Sequence, residues 1–401
     1  MKSPIAIALG LLLSAPALAN DADIEALKAR IDALEKEQQQ QQQAEAADDN
    51  GITLGGAVRF QYSYEEYDDD NQDRGGDFDF DTFRLDANGS IGDLTLSAQY
   101  RWYQYMDVLH HAWVGYDFND QHNGKVGVTQ VPFGILPYAS HSFFFSSNFY
   151  TGLEDDYDMG LNYQFKNSNN QLDIAFYKND EQGGLDGYVS DRSARYSYDI
   201  VGVRLADEGT FDAPSLEAGE TNTFNLRYAH TFDLSGVQLE LGASGQYGQL
   251  EIDNNMDGDH QAAAVHGVIN YNAWNVQLQV TGYEYDVDGM DVDQMVVGAY
   301  AFYDSIPAEA LSYTANVSYN LPVSLGPISN LTFYNDYTLM TDKPQSLDDT
   351  FMNVTGVSIT AGGLFTYVDF VVAENQPFIG GTLVGDGGTN QRLNINFGYY
   401  F

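Results

Sequence analysis

From Ile52 to the end of the chain, apolar and polar positions alternate. Ile52, Leu54, Val58, Phe60 and Tyr62 fall on one side of an extended segment, and Thr53, Arg59, Gln61 and Ser63 on the other. A period of two marks a strand with one apolar face. Phe83, Leu85 and Ala87 likewise oppose Arg84, Asp86 and Asn88. After the turn Ile91-Gly92-Asp93, Leu94, Leu96, Ala98, Tyr100 and Trp102 oppose Thr95, Ser97, Gln99 and Arg101. The same dyads recur around Val114-Tyr116-Phe118, Leu161-Tyr163-Phe165, Phe224-Leu226-Tyr228 and Val276-Leu278-Val280. The last segment places Leu393, Ile395, Phe397, Tyr399 and Phe401 on one face and Arg392, Asn394, Asn396, Gly398 and Tyr400 on the other. About 16 to 18 segments of about ten residues can be counted, with blurred limits near 206–221 and 303–311. The pattern predicts an all-β fold, a transmembrane antiparallel β-barrel of about 16 to 18 strands over residues 51–401. A soluble sandwich also alternates but does not need so many dyads in one uninterrupted domain. Short turns such as Asp233-Leu234-Ser235-Gly236 suit one end of a barrel. Longer polar runs such as Asp253 to Asp259 and Glu374 to Asn390 suit the other.

Two segments precede the barrel. Residues 1–19 read as a signal peptide, with Lys2 before an apolar run from Ile5 to Leu13 and a small-x-small site at Ala17-Leu18-Ala19. Residues 20–50 read as a short coiled-coil helix and polar linker, or equally as a frayed amphipathic tail. Ile24, Leu27, Ile31 and Leu34 form an a/d seam that ends at the Gln38 to Gln43 run. Secretion places this helix in the periplasm.

Composition narrows the function. The mature chain has no stretch of the roughly 20 apolar residues that a membrane helix needs, which leaves a barrel open. The 401 residues include 29 Tyr and 39 Gly, enough for aromatic girdles and many turns. There is no Cys, so thiol chemistry and Cys-ligated metals are excluded. A net charge of -41 disfavours nucleic acid as a partner. His110 and His111 are neighbours on a strand, so regular alternation points them to opposite faces and prevents them sharing a metal. The Asp68-Asp69-Asp70 run reads as a solvated loop tip, or else as a site for divalent cations at a lipopolysaccharide surface. No catalytic signature, cofactor motif or metal site stands out, and the chain is read as not an enzyme.

The stretch Val126-Gly127-Val128-Thr129-Gln130-Val131-Pro132-Phe133-Gly134 resembles the Gly-x-x-x-x-Pro-Phe segment of the phosphate-selective porin O and P superfamily. The aromatic C-terminal strand resembles that of Gram-negative outer-membrane porins in general. The resemblance covers nearly all of the mature chain. It implies location in the outer membrane, a homotrimer, and contact with lipid and lipopolysaccharide. It also implies that Phe401 serves the barrel-assembly machinery as a recognition signal. Phosphate porins line their pore with many basic residues, whereas this chain has 17 Lys and Arg in all. General porin chemistry is therefore expected rather than phosphate selectivity.

Two groups of residues are candidates for controlling passage. Pro132 and Pro137 interrupt strand pairing after Gln130, and the stretch that follows is too aromatic for a solvated tip. The segment of about 132–156, with Pro132, Phe133, Phe143, Phe144, Phe145, Tyr150, Glu154, Asp155 and Asp156, is expected to be the inward loop by which porins narrow their barrel, the alternative being a loop packed on the outer rim or on a neighbouring subunit. The second group comes from strand parity. Arg59, Arg84, Arg101 and Arg392 lie on polar faces, each about seven to nine residues from a presumed periplasmic strand end. Simple strand geometry places all four roughly 16 to 21 Å up the barrel, as one basic wall with Lys125 lower down. Two uses compete for that wall: attraction of solutes, and pairing with lumen acids such as Asp86, Asp117 and Asp158. If Glu154-Asp155-Asp156 faces the wall, a transverse field results.

The leading expectation is a water-filled channel for passive diffusion of small hydrophilic solutes and ions. Alternatives are a channel selective for an anion or a sugar, an outer-membrane enzyme with a plugged lumen, or a tether to the cell wall through the N-terminal helix.

Overall fold

The first and last strands close the sheet. In this computed structural model, residues 51–344, 347–385 and 387–401 are described, so the signal peptide and coiled-coil segment lie outside the described residues. Ala57 of β1 (Gly51–Glu65) pairs with Tyr400 of β19 (Thr389–Tyr400), and the register runs antiparallel to Glu65 and Arg392. The terminal residue locks the seam: the Phe401 amide donates to the Gly56 carbonyl, and the Gly56 amide donates back at 2.8 Å.

Between them run β2 (Asp77–Ile91), β3 (Leu94–Trp102), β4 (Asp107–Asn119), β5 (His122–Gln130), β6 (Tyr157–Lys166) and β7 (Asn170–Asp180). Then come β8 (Asp199–Val203), β9 (Leu216–Asp233), β10 (Val237–Ile252), β11 (Asn255–Tyr271), β12 (Trp274–Val287), β13 (Gln294–Ala299) and β14 (Phe302–Pro307). The series ends with β15 (Glu309–Leu325), β16 (Ile328–Thr341), β17 (Thr350–Ala361) and β18 (Leu364–Glu374). Among the described residues, sixteen of these strands form one closed antiparallel barrel. The other three, β8, β13 and β14, make a small sheet that joins the outer end of β9.

The alternation read from the sequence is the inside–outside division of the wall. On β9, Phe224, Leu226 and Tyr228 are exposed, whereas Asn225 and Arg227 between them are buried. On β12, Leu278 and Val280 are exposed and Gln279 and Thr281 buried. An apolar outer band around a polar interior is the transmembrane-barrel arrangement, because hydrocarbon tolerates neither open sheet edges nor outward charges.

One end of the barrel carries both strand termini and the short turns 92–93, 120–121, 167–169, 234–236, 272–273, 326–327 and 362–363. The other end carries the longer connections. It also holds one tight turn, Asp253-Asn254, with both residues at positive φ. This corrects the expectation of a loop over Asp253 to Asp259. Asn255 onward is strand, and its polarity reflects a hairpin that extends beyond the apolar band. The Asp68-Asp69-Asp70 run is also structural. Asp68 caps the six-residue helix α1 (Asp69–Arg74), accepting from the Asp70 and Asn71 amides at 2.9 and 3.1 Å.

Candidate functional site: the inward loop and the basic wall

The connection between β5 and β6 folds inward. Residues 131–156 follow the inner surface of the wall, and their backbone is bound by inward-facing side chains of successive strands. Gly134 donates to Ser244 of β10 at 2.9 Å, and its carbonyl accepts from Arg227 of β9 at 2.7 Å. Ile135 donates to Gln279 of β12 at 2.8 Å. The Ala139 carbonyl accepts from Asn316 of β15 at 2.8 Å. The His141 and Ser142 amides donate to Asp336 of β16 at 2.7 and 2.8 Å, and the His141 ring meets the same carboxylate at 2.8 Å. Phe143 donates to Asp369 of β18 at 3.3 Å. Six strands thus hold one loop, in the order in which they stand around the barrel.

The sequence explains why this segment takes that course. Pro132 and Pro137 cannot donate to a ladder. Phe133, Phe144, Phe149 and Tyr150 are buried, and Phe144 packs with Met352, Val354 and Val371. Gly152 at φ +71° sits so close to the Tyr198 carbonyl that a Cβ would collide with it.

The loop's acids brace it. Glu154 accepts from the Ala139 amide at 2.9 Å and from the Ser146 hydroxyl. Burial pushes its carboxyl up to about 7 against those bonds. Asp155 accepts from Tyr196 at 2.6 Å and Tyr157 at 3.0 Å, and burial raises its carboxyl as well. Asp156 turns towards Asp158 and Asp199. Glu154, Asp155 and Asp156 are all buried, and the positive charge of Arg101 on the wall acts on Asp155.

The sequence-predicted basic residues all face inward, but not at one height. Arg59, Arg84 and Arg101 sit on consecutive strands, and Arg84 stands directly opposite Arg101. Two like charges there would repel. Asp86 and Gln99 separate them: Arg84 pairs with Asp86 at 2.9 Å, Gln99 donates to Asp86 at 2.7 Å, and Arg101 donates to Gln99 at 2.5 Å. Arg59 pairs with Asp81 at 2.8 Å and lies over the Phe143 ring of the loop at 5.7 Å. Lys125 lies over Trp113 at 4.6 Å, level with the Gly115 rung and nearer the turn end.

Arg392 departs from the expected common height. It stands opposite Glu65, while Arg59 stands opposite Gly398, a separation of six residues or roughly 20 Å along the strand. Counting from chain ends misplaced it because β1 begins six residues before its first rung with β19, the stagger that barrel closure requires. Arg392 instead pairs with Glu65 at 3.0 Å and covers the Phe144 ring at 5.6 Å.

The two histidines also differ from expectation. Register slips between Gln99 and Tyr100, so Gln99 opposes His111 and Tyr100 opposes Leu109. This bulge at His110 turns both rings to the same side, with their Nδ1 atoms 2.9 Å apart. His110 packs on Tyr157 and Tyr196 beside Arg101.

A cavity of about 200 Å³ lies between the loop's Pro132 and Leu136 and the wall residues His111, Trp113, Lys125 and Asp173. The loop's anchors Asp336, Asp369, Gln279 and Arg227 went unnoticed in the sequence. Their polar parity marks them as inward, but nothing local pairs them with a loop more than 80 residues away.

No family model and no curated protein matches the sequence. Solved structures do match. The outer membrane channel DcaP of Acinetobacter baumannii superposes with a TM-score of 0.56 at 12% identity, over 87% of this chain and 97% of that one. In-vitro folded OmpT of Vibrio cholerae, an outer membrane protein in its trimer form, gives 0.53 at 12% identity over 88% and 100%. The anion-selective porin from Comamonas acidovorans gives 0.54 at 12% identity over 88% and 99%. At this identity the likeness is one of fold alone: this chain shares a closed β-barrel fold with these outer-membrane proteins.

Proposed function

We propose that this protein is a passive diffusion channel of the Gram-negative outer membrane, carrying small hydrophilic solutes and ions through a lumen narrowed by residues 131–156. The observation that carries this reading is the loop bound along the inner wall by six strands, opposite Arg59, Arg84, Arg101 and Lys125. A passive channel needs no catalytic constellation, only a polar lining of fixed cross-section. The apolar outer band suits a lipid surface with lipopolysaccharide on its outer side. Assembly as a homotrimer, with the N-terminal segment periplasmic and Phe401 recognised by the assembly machinery, completes the proposal. Phosphate selectivity, enzymatic activity and a cell-wall tether have less to support them. The test is single-channel conductance in a planar bilayer. The parent should conduct, and deleting residues 141–148 should raise the conductance. A protein that does not conduct would overturn the reading, and unchanged conductance after the deletion would remove the loop from the narrowest section.

A specific observation favours selectivity for anions as a second reading. Arg101 has no carboxylate within 4.0 Å among the described residues and stands over Tyr196 at 4.5 Å, so Asp155 offsets its charge from farther away rather than by direct pairing. A reversal potential in a salt gradient reads this directly.

A further inference from the structure

Where the loop returns to the wall, three carboxylates from three different elements converge. Asp156 ends the loop, Asp158 belongs to β6 and Asp199 opens β8, and one oxygen from each lies within 4.8 Å of the others. All three are buried, at 6%, 5% and 5% exposure. Asp180, Glu181 and Glu220 stand around them. Against these six acids stand two guanidinium groups. Arg192 is bound to Asp180 at 2.7 Å, and Arg195 is shared between Asp180 at 3.0 Å, Asp199 at 2.8 Å and Glu181 at 3.4 Å. His260 approaches Glu220 at 3.8 Å, and Tyr285 donates to Glu220 at 2.8 Å.

The arrangement is short of positive charge. Oδ1 of Asp158 is buried and accepts no hydrogen bond from any described residue, whereas the Glu181 and Asp199 carboxyls bond to each other. An uncompensated buried carboxylate costs several kcal/mol. Either protons or a cation must supply the missing charge.

Geometry admits the second of these. Two oxygens bound to one ion lie no farther apart than twice the bond length, about 4.6 to 5.2 Å for calcium and about 4.2 Å for magnesium. One oxygen from each carboxylate lies within 4.8 Å of the other two, a spread that a calcium ion can span. We propose that Asp156, Asp158 and Asp199 bind one Ca²⁺, which clamps the end of the inward loop to the barrel wall and to the small outer sheet. Three carboxylates with neighbouring oxygens, completed by water, match the oxygen-only coordination this ion takes. This proposal does not depend on what crosses the channel.

The test uses full-length mature protein refolded in detergent without lipopolysaccharide, stripped with EDTA and desalted. Calcium chloride should bind at one ion per chain by titration calorimetry. About 1 mM Ca²⁺, in the range of extracellular sites, should raise the melting temperature above that in EDTA. Asp158→Asn should abolish both effects. In EDTA this variant should melt above the parent, because it loses a repelling charge. A merely structural role for Asp158 predicts the opposite order in EDTA. Asp199→Asn should also lose calcium binding, which keeps the test open if one variant folds poorly. Absence of a calcium-dependent shift in the parent would show that protons balance the cluster and overturn the proposal. So would an equal shift in Asp158→Asn. Equal stabilisation by Mg²⁺ would overturn the assignment to calcium.

Discussion

Asp336 is the strongest single anchor of the inward loop, and replacing it tests how the loop is held. Its carboxylate accepts from the His141 amide at 2.7 Å, the Ser142 amide at 2.8 Å, the Ser140 hydroxyl at 3.2 Å and the His141 ring at 2.8 Å. Asp336→Ala leaves those donors without an acceptor in a buried setting. Hydrogen bonds to charged groups contribute about 1.5–3 kcal/mol each in deletion experiments. Water entering from the lumen can replace part of this. A loss of roughly 3–5 kcal/mol for the group follows, which multiplies the opening equilibrium of the loop by about 10² or more. The chain has no cysteine, so a single reporter can be read cleanly. Ser147→Cys places a thiol at a position with 0% exposure, where labelling by a small reagent requires the loop to open. Labelling should be about a hundredfold faster in the Asp336→Ala background, and single-channel traces should show added current steps. The melting temperature of the barrel should move little, because the sheet ladders are untouched. Labelling within twofold of the reporter alone would refute the anchoring argument and shift the load to Gln279, Asn316 and the aromatic packing.

Deleting Phe401 should lower the amount of barrel reaching the outer membrane, through loss of both a recognition signal and the reciprocal Gly56 bonds, as a surface-labelling assay would read. Normal surface levels would count against it. The loop should be held more tightly in acid than in base. Glu154 has a folded value near 7 against an ordinary 4.5, so its stabilisation is complete below about 4.5 and is lost as pH rises through 7, about 3 kcal/mol at most. His141 acts in the same sense. Burial is the largest single influence and lowers its ring, but the hydrogen bond and charge of Asp336 together with the hydrogen bond to Asn275 outweigh it, and the stabilisation is lost as pH rises through the raised value. Current fluctuations should therefore grow between about pH 5.5 and pH 8, and Glu154→Gln should reduce the change. Arg101→Ala should shift the reversal potential towards cations more than Arg59→Ala does, and equal shifts would refute this order.

The barrel was legible in the sequence because its cause is local. Lipid outside and a polar lumen inside impose alternation on every strand, as in Leu226-Arg227-Tyr228, and parity alone assigned the facing of Arg59, Arg84 and Arg101. The inward loop was legible for a related reason, since Phe143-Phe144-Phe145 needs cover that no solvated tip provides. What escaped was non-local or rested on a one-residue irregularity. The bulge at His110 reverses the facing of its neighbour, and no residue type announces it. The height of Arg392 depends on stagger, a property of closure rather than of β19. The outer sheet is built from strands of five or six residues, too short for periodicity to separate from loop. The Asp156–Asp158–Asp199 cluster joins residues 43 apart with no spacing rule to flag them.

These placements change which charges can govern passage. Arg59, Arg84 and Arg392 each have a carboxylate partner within 3.0 Å. An ion pair presents a dipole, whose field falls faster with distance than that of a free charge. Arg101 is held by Gln99 and the Tyr196 ring, and Lys125 by the Trp113 ring, with no carboxylate within 4.0 Å of either among the described residues. Aromatic faces support a cation without neutralising it. Among these five residues Arg101 and Lys125 are therefore the ones without a direct ion pair, and acids act on them only from farther off: Asp155 on Arg101, Asp173 and Asp117 on Lys125. The net charge of -41 acts against them only over a distance that salt sets, about 8 Å at physiological ionic strength and about 30 Å at 0.01 M. At moderate salt a solute beside the wall responds to these two side chains. On dilution the acidic remainder of the protein reaches the same point, and the preference moves towards cations.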